Sequence, residues 1–203
     1  MKQNNESFKT DTGSVIASPL REKRRGRSLT MTRAAFFVVP MLLLCAAAYA
    51  QSTTVTINRI DANGVGEAIG TLTLEDTAQG LKVTPKLIGL PPGPRGFHVH
   101  ANASCAPGEQ SGQKVAGLAA GGHLDPTGTG KHLGPAGAGH KGDMPVLSVD
   151  RAGTANTAVF APHLKVADAT GHAIVIHAGG DNYADQPASL GGGGARIACG
   201  IVK

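Results

Sequence analysis

The chain has 203 residues, 19 Lys or Arg against 14 Asp or Glu, a formal net charge of +5 and only 3% aromatic residues. That length allows one domain of ordinary size. The basic excess lies wholly in residues 1–50, which hold eight basic and three acidic side chains; residues 51–203 carry 11 of each, which removes the electrostatic case for a nucleic-acid partner.

Residues 1–30 are polar and basic, with REKRRGR at 21–27. They read as a long n-region or a loosely matching twin-arginine export signal; the preferred reading is an upstream extension, with Met31 the true start. Residues 31–50, MTRAAFFVVPMLLLCAAAYA, place Arg33 before an apolar run and end in Ala48, Tyr49 and Ala50 ahead of Gln51. That is the pattern of a cleaved secretory signal. The apolar run at 34–48 has 15 residues, where a membrane span needs about 20, so stable insertion is not expected. Lipoprotein processing at Cys45 is disfavoured by the bulk of Leu44 before it.

The domain at 51–203 reads as short strands between turns. TTVTINRI alternates Val55 and Ile57 with polar residues before a turn at 61–64. EAIGTLTLED (67–76) and GLKVTPKLIGL (80–90) follow, and PPGPRG then interrupts the pattern. The strand carrying His98 and His100 comes next, and PVLSVD, TANTAVFA, HAIVIHA and ARIACGIV complete about eight strands. No sustained helical periodicity appears, so the expected fold is an all-β antiparallel sandwich or flattened barrel. Long insertions at 101–114, 120–143 and 179–194 interrupt it, and loops of that length are uncommon unless functional. Cys105 and Cys199 are an even pair in an exported domain. A bridge between them would close about 95 residues and stabilise by roughly 4–5 kcal/mol; two free buried cysteines are the alternative.

The histidines carry the chemistry. In GFHVHANASC, His98 and His100 are one residue apart, so on a strand both imidazoles project from one face. His123, His132, His140 and Asp143 follow along a Gly/Pro-rich stretch that cannot pack a core but can fold round a cation, and His177 ends the run HAIVIHA. Singly, each could be an ordinary buried histidine. Together they divide into a nitrogen-only set, His98, His100, His123 and His177, suited to copper, and a set of three imidazoles and a carboxylate, His123, His132, His140 and Asp143, suited to zinc. His123 would bridge the two ions. His163 and His172 fit neither set and read as surface or packing residues.

GFHVHANASC, AGGHLDP, GKHLGPAGAGHKGDMP, VIHAGGDNYADQP and LGGGGARIACGIV strongly resemble the copper/zinc superoxide dismutases, the bacterial periplasmic branch in particular, over residues 52–203. The resemblance implies a Greek-key, eight-stranded, immunoglobulin-like flattened barrel with long functional loops. It implies an oxidoreductase that converts superoxide to dioxygen and hydrogen peroxide, with copper and zinc as cofactors and a periplasmic location. The copper and zinc sets carry over as above, with His123 catalytic as well as bridging. Asp181 matches the carboxylate linking a copper histidine to a zinc histidine, Arg196 the guanidinium at the mouth of the copper channel, and Cys105 with Cys199 the family disulfide. Leu190 stands where eukaryotic members place a channel threonine. The loop from Gly179 is poor in charge, with only Asp181 and Asp185 before Arg196, so steering beyond Arg196 would depend on lysines elsewhere; Lys114 and Lys131 lie in the right loops, though each reads more simply as a solvated surface charge. Of the two assemblies, a homodimer is favoured over a monomer. The rival function, a non-enzymatic metal carrier on the same fold, would be expected to lose ligands or the arginine, and this chain keeps all of them.

Overall fold

The computed structural model describes residues 51–203; the basic extension at 1–30 and the signal sequence at 31–50, Cys45 included, lie outside the described residues. Three antiparallel strands come first: β1 (Ser52–Asp61), β2 (Gly64–Thr77) and β3 (Gly80–Leu87). Val55 and Ile57 of β1, Leu72 and Leu74 of β2, and Leu81, Val83 and Leu87 of β3 are all buried. The period of two thus becomes one apolar face, and a one-residue slip would turn that face outward. Asp61 Oδ1 accepts the amides of Asn63 (2.6 Å) and Gly64 (3.1 Å), closing the first turn with its own side chain.

The chain then crosses through β4 (Gly93–Arg95) to β5 (Phe97–His100) and forms a small hairpin, β6 (Gly108–Gln110) with β7 (Gln113–Val115). The remaining strands are β8 (Leu147–Val149), β9 (Val159–Ala161), β10 (Ala173–His177) and β11 (Arg196–Ile201), with one helical turn, α1 (Val166–Ala169), before β10. Seven strands form one curled antiparallel sheet in the order β5-β10-β11-β1-β2-β3-β9, and β4 pairs with β8. The return of β9 beside β3, and of β10 and β11 between β5 and β1, gives Greek-key connectivity. All eight strands expected from the sequence form. β4, β6 and β7 are additional, and β4 arises inside the PPGPRG stretch, where a short two-stranded edge ladder tolerates Pro94.

β5 and β10 are buried at every position, because both of their faces are covered. Phe97 and Val99 of β5, with Ile174 and Ile176 of β10, point into the main core. On the other face, Ala173 and Val175 pack with Cys105, Cys199, Ile60 and Ala120. The Cys105–Cys199 bridge fastens the loop after β5 to β11.

Candidate metal centre

His98 and His100 project from the face of β5 opposite to Phe97 and Val99, as alternation requires. Their partners across the ladder are Val175 and Ala173, small enough to leave room for two imidazoles. His177 enters from the end of β10, where the register with β11 shifts and the amide of His177 is held by the Gly96 carbonyl at 2.9 Å.

The Gly/Pro-rich stretch at 120–143 reads as loop, yet it is pinned to the free edge of β5. The Val99 amide donates to the Gly142 carbonyl (2.9 Å), the Leu124 amide to the Val99 carbonyl (2.8 Å) and the Ala101 amide to the Gly122 carbonyl (2.9 Å). His123 thereby lies opposite His100, and Asp143 opposite His98. Gly142 is needed for this approach, since a Cβ there would run into the Val99 carbonyl oxygen. His98, His100, His123, His132, His177 and Asp143 are all buried.

The hydrogen bonds leave one set of lone pairs free. His100 Nδ1–H donates to the Gly121 carbonyl at 2.9 Å and His177 Nδ1–H to the Gly194 carbonyl at 3.2 Å. Both Nε2 atoms are then acceptors, and they face each other at 3.4 Å. Two lone pairs opposed in a buried site call for a cation between them. His98 Nε2–H donates to Asp181 Oδ2 at 2.6 Å, and its buried Nδ1 has no hydrogen-bond partner. One nitrogen from each of His98, His100, His123 and His177 lies within 4.8 Å of all the others.

The second cluster centres on Asp143. Its Oδ1 accepts from His123 Nδ1–H at 2.9 Å, while His132 Nδ1 approaches Oδ2 at 2.9 Å and His140 Nδ1 approaches Oδ1 at 3.5 Å. Despite that proximity, His132 Nδ1, His140 Nδ1 and Asp143 Oδ2 make no hydrogen bond of proper geometry. Three polar atoms crowded together without bonding one another are disposed as ligands of a common ion. The tightest grouping there comprises His98, His123, His132 and Asp143, with His140 just outside it. His98 falls in both groupings, and the unpartnered Nδ1 of His140 lies beside the second, 3.5 Å from Asp143 Oδ1.

Asp181 ties the two clusters together. Its Oδ2 takes His98 Nε2–H, and its Oδ1 takes His132 Nε2–H at 2.7 Å. Gly191, at φ +70°, sits against this carboxylate, and a Cβ there would overlap Asp181 Oδ1.

A cleft of about 210 Å³ opens onto the nitrogen-only cluster, with His100, His123, His177, Leu190 and Arg196 in its walls. The Arg196 guanidinium is half-buried and donates to the carbonyls of Gly117 and, at 2.6 Å, Gly121. Leu190 makes one wall apolar where a threonine was the comparison. Lys114 and Lys131 are exposed and are not among the residues lining the cleft. His163 is exposed in its loop, and the half-buried His172 donates Nδ1–H to the Ala101 carbonyl at 2.8 Å, so neither joins the centre. Tyr183 and Asp185, which touch the zinc-side loop, were not anticipated; no periodicity marks them.

Burial drives His100 down to about 2, His177 to about 3 and His123 to about 4, so all three are neutral and ready to ligate at physiological pH. For His132 burial acts in the same direction, but the adjacent carboxylates of Asp143 and Asp181 outweigh it and hold the ring's pKa up to about 9. Burial opposes ionisation of Asp143 and Asp181 too, yet their histidine partners hold both well below the usual carboxylate range. A histidine depressed from 6.5 contributes stability above that value, lost as pH falls toward the folded value; a raised one contributes below 6.5, lost as pH climbs toward about 9. The metal-free protein is therefore expected to melt highest near pH 6.5, with Tm falling on both sides. A Tm rising steadily from pH 5 to 9 would remove His132 from this account.

Comparison with known proteins agrees with this geometry. The family model described as copper/zinc superoxide dismutase matches residues 68–202. "Superoxide dismutase [Cu-Zn] 2" of Salmonella typhimurium is 55% identical over 163 residues, 80% of this chain and 94% of that protein. The solved Cu/Zn superoxide dismutase from Brucella abortus superposes with a TM-score of 0.74 at 48% identity, covering 75% of this chain and 100% of that one. The solution structure of the monomeric copper, zinc superoxide dismutase from Salmonella enterica superposes at 0.69 with 55% identity and the same coverage. With the family model spanning well over half of its length, and two buried clusters of the matching donor chemistry, this chain belongs to the copper/zinc superoxide dismutase family.

Proposed function

We propose that His98, His100, His123 and His177 hold copper, that His123, His132, His140 and Asp143 hold zinc, and that the pair serves superoxide dismutation. When bound, copper would exchange one electron with each of two superoxide ions in turn, yielding dioxygen and hydrogen peroxide, while zinc is redox-silent. Arg196 draws the anion into the cleft and offers it a planar pair of donors. Peroxide needs two protons, and His123 is placed to deliver one from Nε2, because its Nδ1 is directed at Asp143 and its ring lies in the cleft wall. Water at the mouth supplies the other. Asp181 fixes the tautomers of His98 and His132 and makes both rings better donors.

The observation that carries this reading is the convergence of unpartnered buried donors on two points joined by Asp181. Superoxide consumption by the copper- and zinc-loaded domain tests it, and copper binding without turnover would favour a metal carrier. Asp143→Ala is expected to lose zinc before copper and to weaken zinc by more than the ~10–100-fold that loss of an outer partner costs. Turnover should then fall on heating, as His123 loses its anchor. Unchanged zinc by metal analysis would contradict the zinc set.

The basic extension at 1–30, the signal at 31–50 and the domain at 51–203 form part of the same proposal, with export to the periplasm. The disulfide supports it, since such bridges persist in oxidising spaces. A periplasmic fraction containing protein that begins at Gln51 is the expected result. A homodimer is part of the same proposal, supported by exposed Ile88 and Phe160, although the Salmonella enterica structure at 55% identity is of a monomeric enzyme. Light scattering at working concentration decides it.

A further inference from the structure

The segment at 181–185 does more than present Asp181. Asp185 Oδ2 accepts the backbone amide of His132 at 3.0 Å, which fixes the main chain of a zinc-set residue directly. Tyr183 Oη accepts the amide of Val146 at 2.9 Å, three residues beyond Asp143. Tyr183 also lies against Gly134, two residues beyond His132, so closely that a Cβ on Gly134 would meet the Tyr183 Cβ at 2.6 Å. Tyr183 holds φ at +59°, a left-handed conformation unusual for a large side chain, and its amide donates to Asp181 Oδ1 at 2.7 Å. A strained backbone persists where surrounding contacts over-determine it. Here those contacts reach both ends of the loop that carries the zinc set.

We propose that Tyr183 and Asp185 are positioning residues for the metal centre, a clamp that orders the loop bearing His132, His140 and Asp143 before zinc arrives. The proposal rests on the ligand assignment above and extends it. The loop is rich in glycine and contributes little apolar core, so beyond its backbone hydrogen bonds to β5 its order depends on such tethers, and ordering it in advance removes that cost from metal binding. Asp181 alone cannot do this, because it holds two rings but neither the His132 backbone nor the chain after Asp143.

The test is zinc affinity by chelator competition on the copper-free domain, with the visible spectrum of cobalt(II) in the zinc position as a second readout. Asp185→Ala is expected to weaken zinc about 10-fold, within the range for lost outer partners. Tyr183→Phe keeps the ring against Gly134 and removes only the acceptor of the Val146 amide, so a loss of about 2–10-fold is expected, that of one hydrogen bond. Asp185→Asn retains an acceptor for the His132 amide and should restore affinity to within about 3-fold of wild type, with a wild-type cobalt spectrum. Asp185→Asn as weak as Asp185→Ala would show that charge, not position, acts, and would overturn the clamp. Unchanged zinc in both Asp185→Ala and Tyr183→Phe, beside zinc loss in Asp143→Ala, would overturn the clamp alone. Wild-type zinc in Asp143→Ala would overturn the ligand assignment and the clamp with it.

Discussion

His98→Ala is expected to abolish copper-dependent superoxide consumption in a protein that still folds. The two halves of that expectation have separate physical origins. The fold survives because the core contacts of β5 are made by Phe97 and Val99 on its other face, and because its ladder to β10 uses backbone groups that the substitution leaves intact. The activity is lost because the free Nδ1 of His98 is one of four nitrogens in the cluster, and no other described residue offers a donor there. Removing an outer hydrogen-bond partner of a metal ligand typically costs 10–100-fold, so removing the ligand should cost at least ~100-fold in turnover. The damage should also spread: Asp181 Oδ2 loses its 2.6 Å partner, which frees that carboxylate to swing away from His132 and weakens zinc as a secondary effect. Circular dichroism should match wild type, copper content should fall and zinc should follow. Wild-type turnover with copper still bound would remove His98 from the site.

How far this centre was legible in the sequence depends on what held each residue. His98 and His100 were readable because strand alternation puts two imidazoles on one face whatever else happens. β1, β2 and β3 were readable for the same reason, since each buries one face and exposes the other. The stretch at 120–143 was legible as a ligand source but not as structure. Its order comes from backbone hydrogen bonds to the free edge of β5, and a bond from Val99 to Gly142 leaves no trace in hydropathy. β4, β6 and β7 escaped because strands of three residues are too short to show a period. Asp185 and Tyr183 escaped because their partners are amides some 50 and 37 positions away, addressed by main-chain geometry alone. Asp181 and Arg196 entered only through family resemblance, and the structure supplies their physical reasons: one carboxylate spanning two rings, and a guanidinium anchored on the Gly117 and Gly121 carbonyls.

Arg196→Ile is expected to lower the second-order rate by about one order of magnitude or more without changing the copper ligands. Clefts that focus charge on a small anion, superoxide dismutases among them, raise association rates about 10–10³-fold. In this chain that task falls on few groups. Residues 51–203 carry balanced charge, and among the described residues Arg196 is the one Lys or Arg lining the cleft. Its desolvation pushes the guanidinium pKa down from the ordinary value, yet arginine keeps its charge at any working pH. The guanidinium also has a structural contact, because the Gly121 carbonyl accepts from both Arg196 Nη2 and His100 Nδ1. Salt separates steering from that contact. The Debye length shrinks from about 10 Å at 0.1 M to about 3 Å at 1 M, so wild type and Arg196→Lys should slow as salt rises while Arg196→Ile responds less. Arg196→Lys keeps the charge but loses the planar fork, and should fall between the other two. If the Arg196→Ile rate and its salt dependence matched wild type, with the copper spectrum unchanged, Arg196 would be a packing residue of the loop and superoxide would be drawn in by other charges.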